Sequence, residues 1–338
     1  MQNQNNRSGI AVAGNILTDE VKIIESFPEK GMLVNITAMS RAVGGSVPNT
    51  LISLAEIDPT LPLSALGRRG DDEGGRYAQS ELQRRGIDTT GVLVDPKDAT
   101  GFSDVMTLQS TGERTFFHHR GANAQLGEEH IDAIDAPAKI FHLGYLLLLD
   151  RMDEADAEYG IVAARVLDKL QKRGYKTSVD VVSEEGNRFR QVILPCLKYM
   201  DYFILNEVEA GACFGTSLRD ENGEILLDKV KEAAQFLLDN GVKEACVIHF
   251  PEGGYAVKAN AESHFEPSLR IPASEIVSSV GAGDAFCATM LYALHEELPL
   301  QQSLRMANAA AWFNLHNATS TDGAPTLAQI EQFLKERY

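Results

Sequence analysis

Positive charge is scarce in this chain. Its 338 residues carry 31 lysines and arginines against 48 aspartates and glutamates, a formal net charge of −17. Such a surface repels phosphate backbones and anionic headgroups, which argues against nucleic acid or a membrane face as its partner. An anionic small molecule would need a local positive site built from backbone amides, a metal ion and a few basic side chains. Cysteine is scarce too. Cys196, Cys213, Cys246 and Cys287 form no CxxC pair and no metal-ligand spacing. They read as reduced thiols of a cytoplasmic protein, each behaving as a small buried hydrophobe. Long apolar runs are missing as well. Met1 to Ser8 is polar with Arg7 as its one charge, and Gly14 and Asn15 interrupt Ile10 to Leu17, so no secretion signal is expected. Ile140 to Leu149 contains His142 and Gly144 and falls well short of a membrane span.

What is present is ordinary globular material, 44% apolar, with a regular alternation along it. Ile10–Gly14, Leu63–Gly67, Ile140–Leu143, Thr177–Val182, Tyr202–Leu205 and Ala245–His249 read as short buried strands. Between them Asp153–Arg173 and Lys229–Asn240 have helical apolar spacing and end near Gly174 and Gly241. Ala282–Glu296, Leu300–Leu315 and Thr326–Arg337 continue as helices. Strand–helix alternation predicts an α/β fold, a mostly parallel central sheet flanked by helices. Two regions break the rhythm. Glu20–Arg41 and Gly101–Arg120 read as strand pairs, the second turning at Ser110-Thr111-Gly112-Glu113. They predict a small projecting sheet, inserted over about 20–42 and 101–120, which closes over a ligand or pairs with another subunit. No repeat, low-complexity tract or linker divides residues 1–338, so a single domain is expected.

The segment richest in chemistry is Ser278-Ser279-Val280-Gly281-Ala282-Gly283-Asp284. It follows an extended stretch, Ser274–Val277, and opens a helix. Small residues at Gly281, Ala282 and Gly283 let backbone amides face outward at the positive helix end, where phosphate oxygens bind. The carboxylate of Asp284, just beyond, is placed to take a proton from an attacking hydroxyl. Taken alone, the same residues also suit a tight turn with an acid complementing the helix dipole. Gly44-Gly45-Ser46-Val47-Pro48-Asn49 precedes a second apolar helix, Thr50–Ile57. The glycine pair permits close approach to the backbone, and Asn49 can donate and accept at a hydroxyl. Asn206-Glu207-Val208-Glu209 reads by itself as a helix start, with Asn206 as N-cap and Glu209 three residues on.

Together these motifs resemble the PfkB, or ribokinase-like, family of carbohydrate and nucleoside kinases, from about Ile10 to about Phe333 and in the family's order. Gly14-Asn15-Ile16-Leu17-Thr18-Asp19 is similar to the family's first strand end, whose aspartate binds substrate hydroxyls. Gly44, Gly45 and Asn49 match its first signature, and Gly67-Arg68-Arg69-Gly70-Asp71-Asp72 its GxxGDD-type turn. Gly121-Ala122-Asn123 resembles its GAN segment, and Asn206 with Glu209 its NxxE motif, which organises magnesium and phosphates. Ser278–Asp284 matches the second signature, which implies Asp284 as catalytic base and Gly281, Ala282 and Gly283 as anion hole.

The resemblance implies a ribokinase-like fold and transfer of the γ-phosphoryl of ATP to a hydroxyl of a small sugar. Asp19, Gly44, Gly45 and Asn49 would hold substrate under the lid. Asn206, Glu209, His249, Gly254 and Asn308 would border the nucleotide, and Glu209 would serve Mg2+, mostly through water. A homodimer through the lid strands and a nucleoside substrate both fit the pattern. Phe102, Phe116 and Phe117 would be the stacking platform for a base.

Three departures stand out. Ser278-Ser279 replaces the family's Asp-Thr, which removes a carboxylate tied to a monovalent-cation site. Val47 stands where a small residue is usual. The family's TxGxxG segment is His249-Phe250-Pro251-Glu252-Gly253-Gly254 here, and Pro251 lacks an N–H that could meet a phosphate. His249 reads either as a ligand contact or as a strand-end residue near the surface. These changes also suit a protein that keeps the fold and binds ligands without efficient catalysis. Ala307-Asn308-Ala309-Ala310 matches a segment bordering adenine, and suits helix packing equally. His118-His119, Arg68-Arg69 and Arg84-Arg85 are expected to be solvated faces.

Overall fold

The computed structural model describes residues 7–183, 188–272 and 275–337. In chain order the main elements begin with β1 (Ile10–Gly14), β2 (Leu17–Ile24), β3 (Ile36–Gly44), α1 (Ser46–Ile57), β4 (Leu63–Gly70), α2 (Glu73–Gln83) and β5 (Asp88–Asp95). Then come β6 (Gly101–Leu108), β7 (Arg114–His119), α3 (Glu128–Asp132), β8 (Ile140–Leu146), β9 (Ala155–Asp156), β10 (Gly160–Ile161), α4 (Val162–Lys172) and β11 (Lys176–Val181). The last part holds α5 (Phe189–Ile193), β12 (Tyr202–Asn206), α6 (Glu207–Phe214), α7 (Leu227–Asp239), β13 (Ala245–Phe250), β14 (Gly253–Lys258), β15 (Ser263–Pro267), α8 (Ala282–His295), α9 (Leu300–Leu315) and α10 (Leu327–Arg337).

Nine strands form the central sheet in the order β15-β14-β13-β12-β11-β8-β1-β4-β5. From β13 to β5 neighbours are parallel, and β14 and β15 add an antiparallel edge. Every residue of β1 is buried, as the apolar run Ile-Ala-Val-Ala-Gly requires of a strand covered on both sides. Its side chains alternate between two cores. Ala11 and Ala13 pack with residues of α4, α6 and α7, whereas Ile10 and Val12 pack with α1, α8 and α9. The chain leaves β1 toward β4 and β5 on one side, then returns to build β8, β11, β12 and β13 on the other. This reversal beside β1 opens a crevice at the C-terminal strand ends, where open α/β sheets bind ligands.

The second sheet, β3-β2-β6-β7, is the projecting sheet expected from the two strand pairs. Its β2 and β6 run parallel, joining the two pairs, and the other neighbours are antiparallel. The expected helix Asp153–Arg173 is corrected: α4 begins only at Val162. Before it, Asp156 Oδ1 accepts the amides of Glu158 and Tyr159 at 2.9 and 2.7 Å, and Gly160 takes φ +83°. A short acid side chain thus captures the backbone in a turn and defers the helix. The sequence pattern does not anticipate α2 or β5. Residue 274 of the expected extended stretch Ser274–Val277 lies outside the described residues, and 276–277 are irregular.

Of the basic pairs, Arg84 is 60% exposed, as expected, and the other three arginines are corrected. Arg68 donates to Asp95 Oδ2 at 2.5 Å, and Arg69 is buried on Gln79 and the carbonyl of Gly70. Of the pair Arg84-Arg85, the second is mostly buried between Glu56 and Glu81. These guanidiniums stitch elements together and are not a solvated face.

Candidate active site

Three loops meet at the C-terminal end of β1. Gly45, between β3 and α1, has φ +90°, and a Cβ there would lie 2.5 Å from the carbonyl oxygen of Asn15, so only glycine fits. That close approach lets Asn49, one turn into α1, face the start of α8. Gly281 makes the same kind of turn with φ +81°, and a Cβ would meet Ser320 Cα at 2.4 Å. The chain therefore enters α8 with Asp284 in the first turn, where helix amides have no carbonyl four residues back to bond.

Asp284 and Asn49 are brought together. Asn49 Nδ2 donates to Asp284 Oδ2 at 3.0 Å, and Tyr145 Oη donates to Asp284 Oδ1 at 2.5 Å. Asn49 is oriented in turn by Ser320, whose hydroxyl donates to Asn49 Oδ1 at 2.9 Å. Burial pushes the Asp284 carboxyl above its ordinary range, and the bonds from Tyr145 and Asn49 pull it back down. Asp19 on β2 joins the group: its carboxylate lies against Gly44, where a Cβ would come within 2.5 Å of Oδ2. Burial raises Asp19 to about 7, opposed by a hydrogen bond from Ser103 and reinforced by the charge of Asp284.

Sequence reasoning missed Tyr145, Ser320 and Asp180. Tyr145 follows a glycine in an apolar strand, and its role depends on where β8 ends beside β1. The buried Asp180 did carry a signal, as an acid inside the expected strand Thr177–Val182. Burial and the charges of Asp284 and Glu209 push it well above the carboxylate range.

Asn206 and Glu209 form a reciprocal cap at the start of α6. Asn206 Oδ1 accepts the amide of Glu209 at 2.8 Å, and Glu209 Oε2 accepts the amide of Asn206 at 2.9 Å. The helix-start reading of the tetrapeptide is therefore correct geometrically. It also aims Glu209 inward, where Ser183 donates to Oε1 at 2.9 Å and burial raises the carboxyl to about 7. Asp180, Glu209 and Asp284 thus crowd one another, and no lysine or arginine among the described residues pairs with any of them. A hard cation beside Glu209 would relieve that repulsion, and this inward carboxylate fits Mg2+ held largely through water.

Beside this cluster lies a cleft of about 840 Å³ lined by Asn206, His249, Pro251, Gly283, Asn308 and Trp312, among others. His249, at the end of β13, stands over this cleft with its ring on Phe286 at 4.9 Å, and burial lowers it to about 4. It presents a neutral imidazole to the cleft. Gly254 is placed differently from expectation. It faces His249 across β13–β14 and packs on Leu304 and Phe286, behind the cleft wall. Ala307, Ala309 and Ala310 serve helix packing and are buried in the core, while Asn308 and Trp312 reach the cleft. At the rim Arg219 bonds Glu207 Oε1 at 2.9 Å and Glu252 Oε1 at 2.7 Å, neutralising two acids that line the same space.

The remaining motifs are struts. Asn123 accepts the amide of Ile16 at 2.9 Å and donates to its carbonyl at 3.0 Å, fixing the segment that leads to Asp19. Asp72 caps α2 through Gly75 and also accepts both the amide and hydroxyl of Thr100 at the start of β6. His118 meets Ser103 Oγ at 3.1 Å, linking it to the partner of Asp19.

A small-molecule phosphotransferase site of an α/β kinase is what this arrangement suits. A sequence model for the pfkB family carbohydrate kinase matches residues 8–327, and the chain belongs to that family. It is 24% identical over 313 residues to 5-dehydro-2-deoxygluconokinase of Geobacillus kaustophilus, covering 88% of this chain and 86% of the relative. It is 25% identical to Fructokinase-1 of Zea mays, covering 90% and 92%. In structure it superposes on Arabidopsis thaliana ribokinase, solved with ribose and ATP, with a TM-score of 0.79 and 20% identity over 97% of this chain and 99% of that one. The nucleoside kinase of Methanocaldococcus jannaschii matches with a TM-score of 0.73 and 15% identity, over 98% and 100%.

Proposed function

We propose that the protein transfers the γ-phosphoryl group of ATP to a hydroxyl of a small sugar, with Asp284 as general base. The observation that carries this reading is the Asn49–Asp284–Tyr145 group at the start of α8, with Asp19 close enough to feel the Asp284 charge and the cleft of His249 and Asn308 reaching Ala282 and Gly283 beside it. Asp19, Gly44, Gly45 and Asn49 border the sugar, and Gly281, Ala282 and Gly283 offer amides to the migrating phosphoryl. In the step, the sugar O–H loses its proton to Asp284, its oxygen forms the new bond to γ-phosphorus, and the β–γ bridging bond breaks to release ADP. Glu209 would hold Mg2+, largely through water, and the ion would offset charge on the phosphates.

The projecting sheet acts as a lid over the sugar within one domain, and its outer apolar residues pair two copies of the chain. All four cysteines are free and buried, in keeping with a cytoplasmic setting, and no helix among the described residues is long and apolar enough to cross a membrane. ADP release from Mg-ATP, assayed over neutral sugars, sugar acids and nucleosides, tests the reading. A sugar or sugar acid is expected as the best acceptor. Asp284→Asn should fold and bind ligands as the wild type does, yet lose about 10²–10⁴-fold in turnover. Wild-type turnover in that variant would refute the assignment. Tight binding with no ADP from any acceptor would instead mean a ligand-binding protein, the reading that Pro251 and His249 invite.

A further inference from the structure

His142, Asp180 and Cys287 lie far apart in sequence and are 0%, 8% and 2% exposed. Their placement follows from register. Ser178 of β11 stands opposite His142 of β8, and Asp180, two residues on, shares that face. Helix α8 packs against the same side and lowers Cys287 onto it, one turn beyond Asp284. One ligand-type atom from each, a ring nitrogen, a carboxylate oxygen and Sγ, all lie within 4.8 Å of one another.

A second observation points to a ligand here. His142 Nε2 is fully buried and finds no hydrogen-bond partner. Its other nitrogen, Nδ1, lies 3.1 Å from Ser178 Oγ. That contact can hold the proton on Nδ1 and leave the unpartnered Nε2 lone pair free for a ligand, the outer-shell arrangement typical of a metal-binding histidine. The imidazole is neutral, since burial drives it down to about 3. Ser46 Oγ, also without a partner, borders the same space: a Cβ on Gly144 would meet it at 2.5 Å and Asp180 Cβ at 3.0 Å.

We propose that His142 Nε2, the Asp180 carboxylate and Cys287 Sγ form a site for one divalent cation of the Zn2+ class, tying β8 and β11 to α8. One nitrogen, one thiolate and one carboxylate with an open fourth position suit Zn2+. Mg2+, which prefers oxygen donors, is disfavoured by the thiolate. Bonds of about 2.0–2.3 Å would draw the three atoms to roughly 3.5 Å apart, a contraction within reach of the Asp180 and Cys287 torsions. The thiol gives up its proton on binding, and the ion's charge is matched by one thiolate and one carboxylate.

Cobalt is the probe. Reduced full-length protein, stripped with chelator, is titrated with Co2+ in excess Mg2+. One Co2+ per chain should bind with a thiolate-to-cobalt charge-transfer band and the strong visible absorption of a tetrahedral ion, both removed by Zn2+. Cys287→Ala should abolish the charge-transfer band, His142→Gln should weaken binding by about tenfold or more, and Glu209→Gln should leave the band intact. No charge-transfer band in the wild-type protein overturns the proposal, and that measurement needs no variant to fold. A band surviving Cys287→Ala overturns it as well, since the ion would sit on another thiol. The readout is spectroscopic, so neither result bears on the phosphotransfer reading.

Discussion

The two hydrogen bonds that Asp284 receives set how the proposed base works. Burial raises the carboxyl of Asp284, and the hydrogen bonds from Tyr145 and Asn49 oppose that rise in part. Removing the phenolic donor should therefore raise the Asp284 pKa. Since a base must be deprotonated to act, Tyr145→Phe is expected to move the acid limb of the kcat/KM profile to higher pH. The shift is about one pH unit for each ~1.4 kcal/mol of bond energy lost. A full pH–rate profile of the variant checks this. An unmoved limb with a uniformly lowered rate would mean that Tyr145 only packs. Asp284 was legible in the sequence because glycines and an acid at a helix start form a local pattern. Tyr145 was not, because its contact spans 139 residues.

At the scale of elements, the loop after β1 is held from outside. Ile16 has its amide and carbonyl bonded to one buried side chain, Asn123, 107 residues away. Asn123→Ala would leave both backbone groups buried without partners, at roughly 1–3 kcal/mol each. A fall in thermal midpoint is expected, together with a raised KM for the sugar, since Asp19 loses its anchored lead-in. Unchanged melting with unchanged KM would rule out the strut. The strands of the central sheet were readable because fully buried parallel strands are continuous apolar runs. The start of α4 was not. Helical spacing extends back to Asp153, but Asp156 bonds the amides of residues 158 and 159 and defers the helix. Arg68 and Arg69 were misread as solvated because a charge pair looks exposed in sequence, whatever acid the fold sets beside it.

For the molecule as a whole, the projecting sheet presents apolar side chains to solvent. Met32 and Leu33 in the β2–β3 loop and Met39 on β3 are 71%, 83% and 65% exposed, and Phe116 and Phe117 on the opposite edge strand β7 are exposed too. Exposed apolar side chains of this size cost a monomer solubility and favour association. A dimer through this sheet is expected. Leu33→Glu should shift the sedimentation coefficient toward the monomer, and a wild-type protein that sediments as a monomer at high concentration would exclude the dimer. Because the lid would be shared between subunits, the same substitution should raise the sugar KM more than it lowers kcat.

Local chemistry was written into the chain: strand runs, helix starts, glycines where backbone must pass close, and the acid at 284. Those features depend on neighbours a few residues apart, so periodicity and spacing expose them. Only the tertiary structure decided which distant groups meet. The hydroxyl of Tyr145 on Asp284, the crowding of Asp180 with Glu209, and the convergence of His142 and Cys287 all depend on strand order and register, which bring together side chains that no local pattern connects.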